Sequence, residues 1–336
     1  MKKKLLAMTL ASALCAGMLA GCGSSASTGS TGDSGSTASG DAYNVTVIVK
    51  HTDGHFNKVI AGARAYGSEH DNVNVEIQSP TSATSYDEQV NMIETALGNP
   101  GIDAVVIAPQ QSTSTATLVD TATKPVVALD TDFTSDKKAC FVGTGNEDAA
   151  LNGGKAVAEA CKALGKDKPT AVIIAGVQGD ETHEARLRGY RSAVEQAGGT
   201  VLEVQYCDAQ PDRAAAAMEA VMQKYPQGVD ALLVTSDDMA LAAIKCIWDN
   251  NSAAYQKTVI CGFDGNQAAV EALDRGELTV DIAQQGYEMG YKAVEAALDA
   301  LEGKSVESVI DSGSEVITAD NIDAYIADCR EKGLWS

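Results

Sequence analysis

Three apolar runs in this chain of 336 residues end on side chains able to grip a small molecule. Residues 259–261 read as a buried strand, and the chain then places Gly262, Phe263, Asp264 and Gly265 in a row. The same grammar recurs at 126–133, where an apolar run meets Asp130, Thr131, Asp132 and Phe133. It recurs more loosely at 45–56, where Asp53, His55 and Phe56 follow the run. In an open α/β sheet, ligands sit outside the carboxyl ends of the strands. A ring there can stack on the C–H face of a sugar while carboxylates take its hydroxyls, so the three segments read as walls of one cleft. Phe56, Phe133 and Phe263, three of the four phenylalanines, are all expected at that rim.

Each residue also has an ordinary use. Asp264 suits a helix N-cap, Asp130 a turn, Asp132 either a second ligand contact or solvent, and His55 an exposed turn. Asp130, Asp132 and Thr134 also fit DxDxT, the nucleophile motif of haloacid-dehalogenase-type phosphatases, with Ser236, Asp237 and Asp238 imitating their later magnesium-binding acids. That motif follows the first strand of its domain, whereas three strands precede it here, so the phosphatase is the lesser reading. Gly143 and Gly145 begin a GxGxxG that fails at its third glycine, and no P-loop, HExxH or GxSxG occurs. No catalytic residue, metal or cofactor is expected.

Composition narrows the partners. A formal net charge of -21 argues against nucleic acid and against a bare anionic membrane, both of which repel it. Apolar residues make up 45% of the chain, enough for two cores of ordinary size. At the start, Lys2, Lys3 and Lys4 precede an apolar stretch over 5–20, closed by Leu19, Ala20, Gly21 and Cys22. This resembles a bacterial lipobox, in which Cys22 is diacylated and the leader 1–21 removed. A plain membrane anchor is the alternative, although roughly 16 apolar residues are short for a bilayer. Residues 23–42 hold nothing larger than aspartate and read as a flexible tether of about 25 Å. Cys140, Cys161, Cys207, Cys246, Cys261 and Cys329 show no regular spacing, so buried thiols and extracellular disulfides both remain open.

Behind the tether, strands and helices must alternate. Strands are expected at 45–49, 73–77, 102–108 and 126–129, with a helical face on Phe56, Val59, Ile60 and Ala63, a helix over 86–97, and a Ser/Thr-rich segment after the third strand. The alternation restarts with helices over 146–164, 181–196, 211–225, 237–248 and 267–275, between strands at 171–175, 201–206, 231–235 and 259–261. Tyr287, Tyr291, Val294, Leu298 and Leu301 then stripe one more helix. Such βαβ repetition predicts right-handed crossovers and parallel, doubly wound sheets in two similar halves.

With the motifs in place, the chain resembles the ribose/galactose type of bacterial periplasmic binding protein, the substrate-binding component of ABC importers, over nearly all of 43–336. The resemblance rests on Gly262 to Gly265, on Ile282, Ala283 and Gln284 followed by Gly290, on the SDDMALAA that begins at Ser236, and on the ARLRG that begins at Ala185. It implies an α/β fold of two parallel-sheet lobes joined by three crossovers, 43–144 plus 284–303 and 145–283 plus 304–336, closing on a ligand. It further implies a lipid-anchored monomer outside the cytoplasm that hands a monosaccharide or polyol to an ABC permease. Carried over by position, Asp53, His55 and Phe56 face the ligand from the first lobe and Asp130 takes the carboxylate position. Arg186 is the second-lobe arginine, with Arg188 the rival if the register slips, and Asp264 and Gln284 supply the acid and amide; Asp132, Ser236 and Phe263 complete the expected site. Ribose-type proteins have arginine at Thr131, asparagine at Ser236 and at Ala108, and an aromatic at Pro211, which weighs against ribose itself. A sensor role, or a nucleoside or signalling furanose as ligand, is the alternative within the binding class. A repressor of the same fold needs a DNA-binding headpiece where the lipobox stands.

Overall fold

Apolar runs of four residues cannot lie on a half-solvated sheet, and here they do not. In the computed structural model, which describes residues 42–335, the chain opens with β1 (Tyr43–Ile48), α1 (Gly54–Glu69), β2 (Val73–Gln78) and α2 (Tyr86–Gly98). It continues with β3 (Ala104–Ile107), α3 (Ser112–Val119), β4 (Val126–Leu129) and β5 (Lys138–Gly143). The leader, the lipidation of Cys22 and the tether up to Asp41, all expected from the sequence, lie outside the described residues. No helix of the described residues is long and apolar enough to cross a membrane.

Every residue of β3 and β4 is buried, as parallel strands with both faces covered require. Val127 and Leu129 face a layer that includes Phe56, Val59 and Met289. Val126 and Ala128 face the opposite layer with Ile93 and Phe133. The strand order β2-β1-β3-β4-β5 reverses direction at β1, so a crevice opens there at the carboxyl edge.

The second half repeats the plan with α4 (Asn146–Ala163), β6 (Thr170–Ala175), α5 (Glu181–Gln196), β7 (Thr200–Tyr206) and α6 (Pro211–Lys224). Then come β8 (Ala231–Val234), α7 (Asp237–Asp249), β9 (Val259–Cys261), α8 (Gln267–Asp274) and β10 (Asp281–Gln284). Its parallel sheet runs β7-β6-β8-β9, reversing at β6. Single bridges from Cys261 to Val280 and from Asp264 to Ala283 attach the β10 segment to β9.

The end of the chain ties the halves together. α9 (Gly286–Leu301) returns to the first sheet, β11 (Val309–Asp311) pairs parallel with β5 there, β12 (Ser314–Ile317) pairs antiparallel with β10, and α10 (Ile322–Glu331) closes the fold. The expected grouping of 304–336 with the second half therefore fails at β11, which completes the first sheet. The chain passes between sheets after β5, β10 and β11, and the passages touch: Ser312 N donates to the Gly143 carbonyl at 2.9 Å. The buried face of α9 is set by Met289, Ala293, Ala296 and Ala297, while Tyr287 and Tyr291 sit on its shoulder, half-buried. All six cysteines named above are buried and free.

Candidate functional site

The carboxyl edges of the two sheets face each other across a cavity of about 100 Å³, room for a few waters or one small molecule. The turn after β1 and the start of α1 bring Asp53, His55 and Phe56 to it. The turn after β4 brings Asp130, α5 brings Arg186, the turns after β8 and β9 bring Ser236 and Asp264, and the last residue of β10 is Gln284. Eight of the ten residues read from the sequence thus line one cavity.

Its acids are held rigidly. Asp53 is the N-cap of α1, accepting from Phe56 N at 2.7 Å, with His51 Nε2 2.9 Å from its other oxygen. His55 Nε2 donates to Asp130 Oδ1 at 2.8 Å, and Thr131 Oγ1 donates to Asp130 Oδ2 at 3.0 Å. Burial alone would raise the Asp130 carboxyl, but His55, Lys50 and Arg186 outweigh it and hold the group far below the usual range. Asp264 Oδ1 accepts from Gln284 Nε2 at 2.7 Å and from Arg186 Nη1 at 3.3 Å, while Lys58 Nζ donates to its carbonyl at 2.7 Å. Asp130 (φ 62°) and Asp264 (φ 131°) both hold positive φ. That strain costs on the order of 1 kcal/mol or more each and is tolerated where a side chain must be aimed.

Arg186, only 3% exposed, is aimed from three sides. Its Nη1 donates to the Thr235 carbonyl and its Nε to Asn146 Oδ1, both at 2.8 Å, and its guanidinium carbon lies 3.7 Å over the Phe263 ring. Arg188 instead lies on the surface between Glu147 and Glu181. A guanidinium opposite carboxylates satisfies vicinal hydroxyls, which both donate and accept, in a fixed fork.

Two expected site residues are elsewhere. Phe263 is fully buried beneath Arg186 and does not line the cavity, because the cation covers its face. Asp132, 43% exposed, pairs with Lys138 beside a neighbouring groove. Phe133 also leaves the rim for the core of the first half. Of the acids the phosphatase reading calls on, Asp130 and Asp238 line the cavity, while Asp132 turns to Lys138 and Asp237 is sealed away at 0% exposure. Among the described residues no group of three or more His, Cys, Asp or Glu is placed to hold a metal.

Several lining residues were not read from the sequence: Lys50, His51, Gln110, Asp180, Thr182 and His183. Lys50 Nζ donates to Asp180 Oδ2 at 3.2 Å and lies 3.8 Å from Asp130 Oδ2, and the Thr131 and Thr182 hydroxyls meet at 2.8 Å. These contacts join the two halves across the cleft. Lys50 and His51 stand directly after the first strand, so the strand-end rule would have found them had it been applied to bases as well as acids.

His183 gives the site a pH signature. Its Nδ1 lies 2.9 Å from Thr235 Oγ1, and burial lowers the ring to about 4. Since the unfolded ring keeps its ordinary, higher value, the unfolded chain takes up the extra proton first. Stability from this group is therefore full above about pH 6.5 and is lost as pH falls towards 4, by at most about 1.4 kcal/mol per pH unit. We expect His183→Gln to lose less of its melting temperature between pH 7 and pH 5 than the parent protein, and equal losses would refute this assignment.

Comparison with known proteins places the geometry. Residues 45–305 match the family described as periplasmic binding protein domain. The ribose import binding protein RbsB of Bacillus subtilis (strain 168) is 32% identical over 214 residues, covering 62% of this chain and 67% of that protein. The D-ribose/D-allose-binding protein of Pseudomonas aeruginosa is 26% identical over 272 residues, 77% of this chain and 83% of that one. A carbohydrate transporter solute-binding protein from Agrobacterium radiobacter, solved in complex with D-arabinose, superposes with a TM-score of 0.78 at 25% identity, covering 85% of this chain and 98% of that chain.

Proposed function

The chain belongs to the periplasmic binding protein family, and from that premise we propose that it is the extracytoplasmic, lipid-anchored sugar-binding component of an ABC importer. It captures one monosaccharide or similar polyol between its halves and presents it to a permease as a monomer. The observation that carries this reading is the convergence of Asp53, Asp130, Asp264 and Arg186 on a single cavity, contributed by turns of both sheets and by α5. Relatives named for ribose and allose, and a neighbour holding arabinose, support a neutral sugar.

The chemistry is binding alone. The carboxylates accept from ligand hydroxyls, Arg186 donates to them, and the Phe56 ring offers an apolar face. The working lobes are 43–144 with α9 and β11 on one side and the remainder on the other. Closure follows because a ligand touching both sides favours the shut state, which a permease can tell from the open one. Anchoring rests on the lipobox residues Leu19, Ala20, Gly21 and Cys22.

A thermal-shift panel of pentoses, hexoses, inositols and nucleosides tests the proposal. A ligand at a hundred times its dissociation constant stabilises by about 2.7 kcal/mol, which raises the melting temperature by roughly 5 °C for a protein of this size. At least one neutral sugar or polyol should do so. A panel in which only nucleosides, or no compound at all, produced a shift would sink the sugar assignment.

A further inference from the structure

Two acids behind the cleft lack the partners that buried carboxylates need. Asp237, the first residue of α7, and Asp281, the first residue of β10, are each 0% exposed. Asp237 Oδ2 accepts from Asn266 N at 2.7 Å. The other three oxygens, Asp237 Oδ1 and both of Asp281, find no hydrogen-bond donor among the described residues. A Cβ on Gly262 would fall 2.5 Å from Asp237 Oδ1 and 3.3 Å from Asp281 Oδ1, so both oxygens close over the same glycine.

The groups facing the pair are Asp264 and Lys58, with Tyr190, Tyr325 and Cys261 around them. Their donors are committed elsewhere. Lys58 serves the carbonyls of Asp264 and Gly265, Tyr325 serves Gly265, and Tyr190 serves Val234 and Gly262. Two bare carboxylates sealed in one space, with Lys58 bonded to carbonyls instead of to either acid, repel each other severely.

We infer that Asp237 and Asp281 share a proton and act as positioning residues for the cleft acid Asp264. The pair stands where three cleft-bearing segments meet. Asp237 is flanked by Ser236 and Asp238 at the start of α7. Its partner amide, Asn266 N, closes the turn that carries Asp264. Asp281 begins the strand that ends at Gln284, and along that strand Asp264 N donates to the Ile282 carbonyl at 2.8 Å. With the proton in place one carboxyl donates to the other and the three segments stay clamped. Without it, like charges push α7 and β10 apart and move the Asp264 carboxylate. Burial and Asp264 raise both acids, and Asp281 adds to the rise at Asp237, which stands well above the ordinary carboxyl range. The sign is opposite to that of His183: stability from this pair is full below about pH 4 and is lost as pH rises through the folded-state value.

The test is carbon-13 NMR of the Asp side-chain carboxyls of the whole protein from pH 4 to pH 9, in the parent, Asp281→Asn and Asp237→Asn. An amide at either site supplies the missing donor, and Asp281→Thr is the second variant should an asparagine fail to fold. In the parent, one carboxyl should titrate at least two pH units above the usual value of about 3.9, and the Gln284 side-chain amide should move with the same midpoint. Both responses should vanish in Asp281→Asn, whose melting temperature should fall less than the parent's between pH 4 and pH 8. Asp carboxyls that all titrate below pH 5, or a melting temperature lowered by chelator, would overturn the shared proton. A high-titrating carboxyl with an unmoved Gln284 amide would overturn the positioning role. The function of the cleft rests on the reading above, but these signals need no ligand. A panel without a sugar hit would therefore count against that reading and leave this one standing.

Discussion

Replacing Arg186 by leucine should abolish sugar binding and lower stability by about 3–5 kcal/mol, the range for breaking a buried ion pair from one side. The side chain is 3% exposed and Asp264 8%, so the abandoned carboxylate recovers little solvation, whereas Asp130 keeps His55 and Lys50. The guanidinium also covers Phe263, whose ring would lose its cation and its packing together. Asp264→Ala should likewise abolish binding but cost less stability, because Arg186 keeps the Thr235 carbonyl, Asn146 and the Phe263 face. The double variant should recover part of the stability lost by Arg186→Leu, since the stranded charge is gone, and none of the binding. Denaturant titration and calorimetry with the best sugar of the panel decide the matter. Binding by Arg186→Leu within threefold of the parent would mean the site is misplaced.

A substitution far from the cleft should be nearly as damaging. A Cβ at Gly290 would stand 1.9 Å from the Val59 carbonyl oxygen, and one at Gly62 the same distance from that of Tyr287. The backbones of α1 and α9 therefore touch, and no rotamer change can make room. Gly290→Val must part the two helices and loosen Met289, Ala293 and Val294 from the first sheet, at a cost of at least about 3 kcal/mol. Gly98→Ala is the control. A Cβ there meets nothing within 4 Å, so the change should stay within about 0.5 kcal/mol. Equal melting temperatures for Gly290→Val and the parent would contradict the close helix contact.

Much of this fold was legible because parallel strands buried on both faces must be short apolar runs, and the helices between them must carry a stripe of 3.6 period. Where neither signal exists, reading failed. α3 is built from Ser112, Thr113, Ser114, Thr115 and Ala116, residues whose propensity says loop, and it is helical because Thr115 and Val119 are buried against the sheet. β11 presents an exposed Val309 and no apolar run, so nothing local announced that the tail completes the first sheet.

The chemistry divides in the same way. Residue order alone put Asp53, Asp130 and Asp264 at strand ends, because a parallel sheet sends every carboxyl end to one edge. Which neighbours turn inward depends on contacts between residues far apart in the chain. Phe263 went under Arg186, Asp132 went to Lys138, and Lys50 crossed to Asp180. Local sequence sets the direction of a strand and the period of a helix. The partner of a side chain is chosen by packing and electrostatics between segments that only the folded chain brings together.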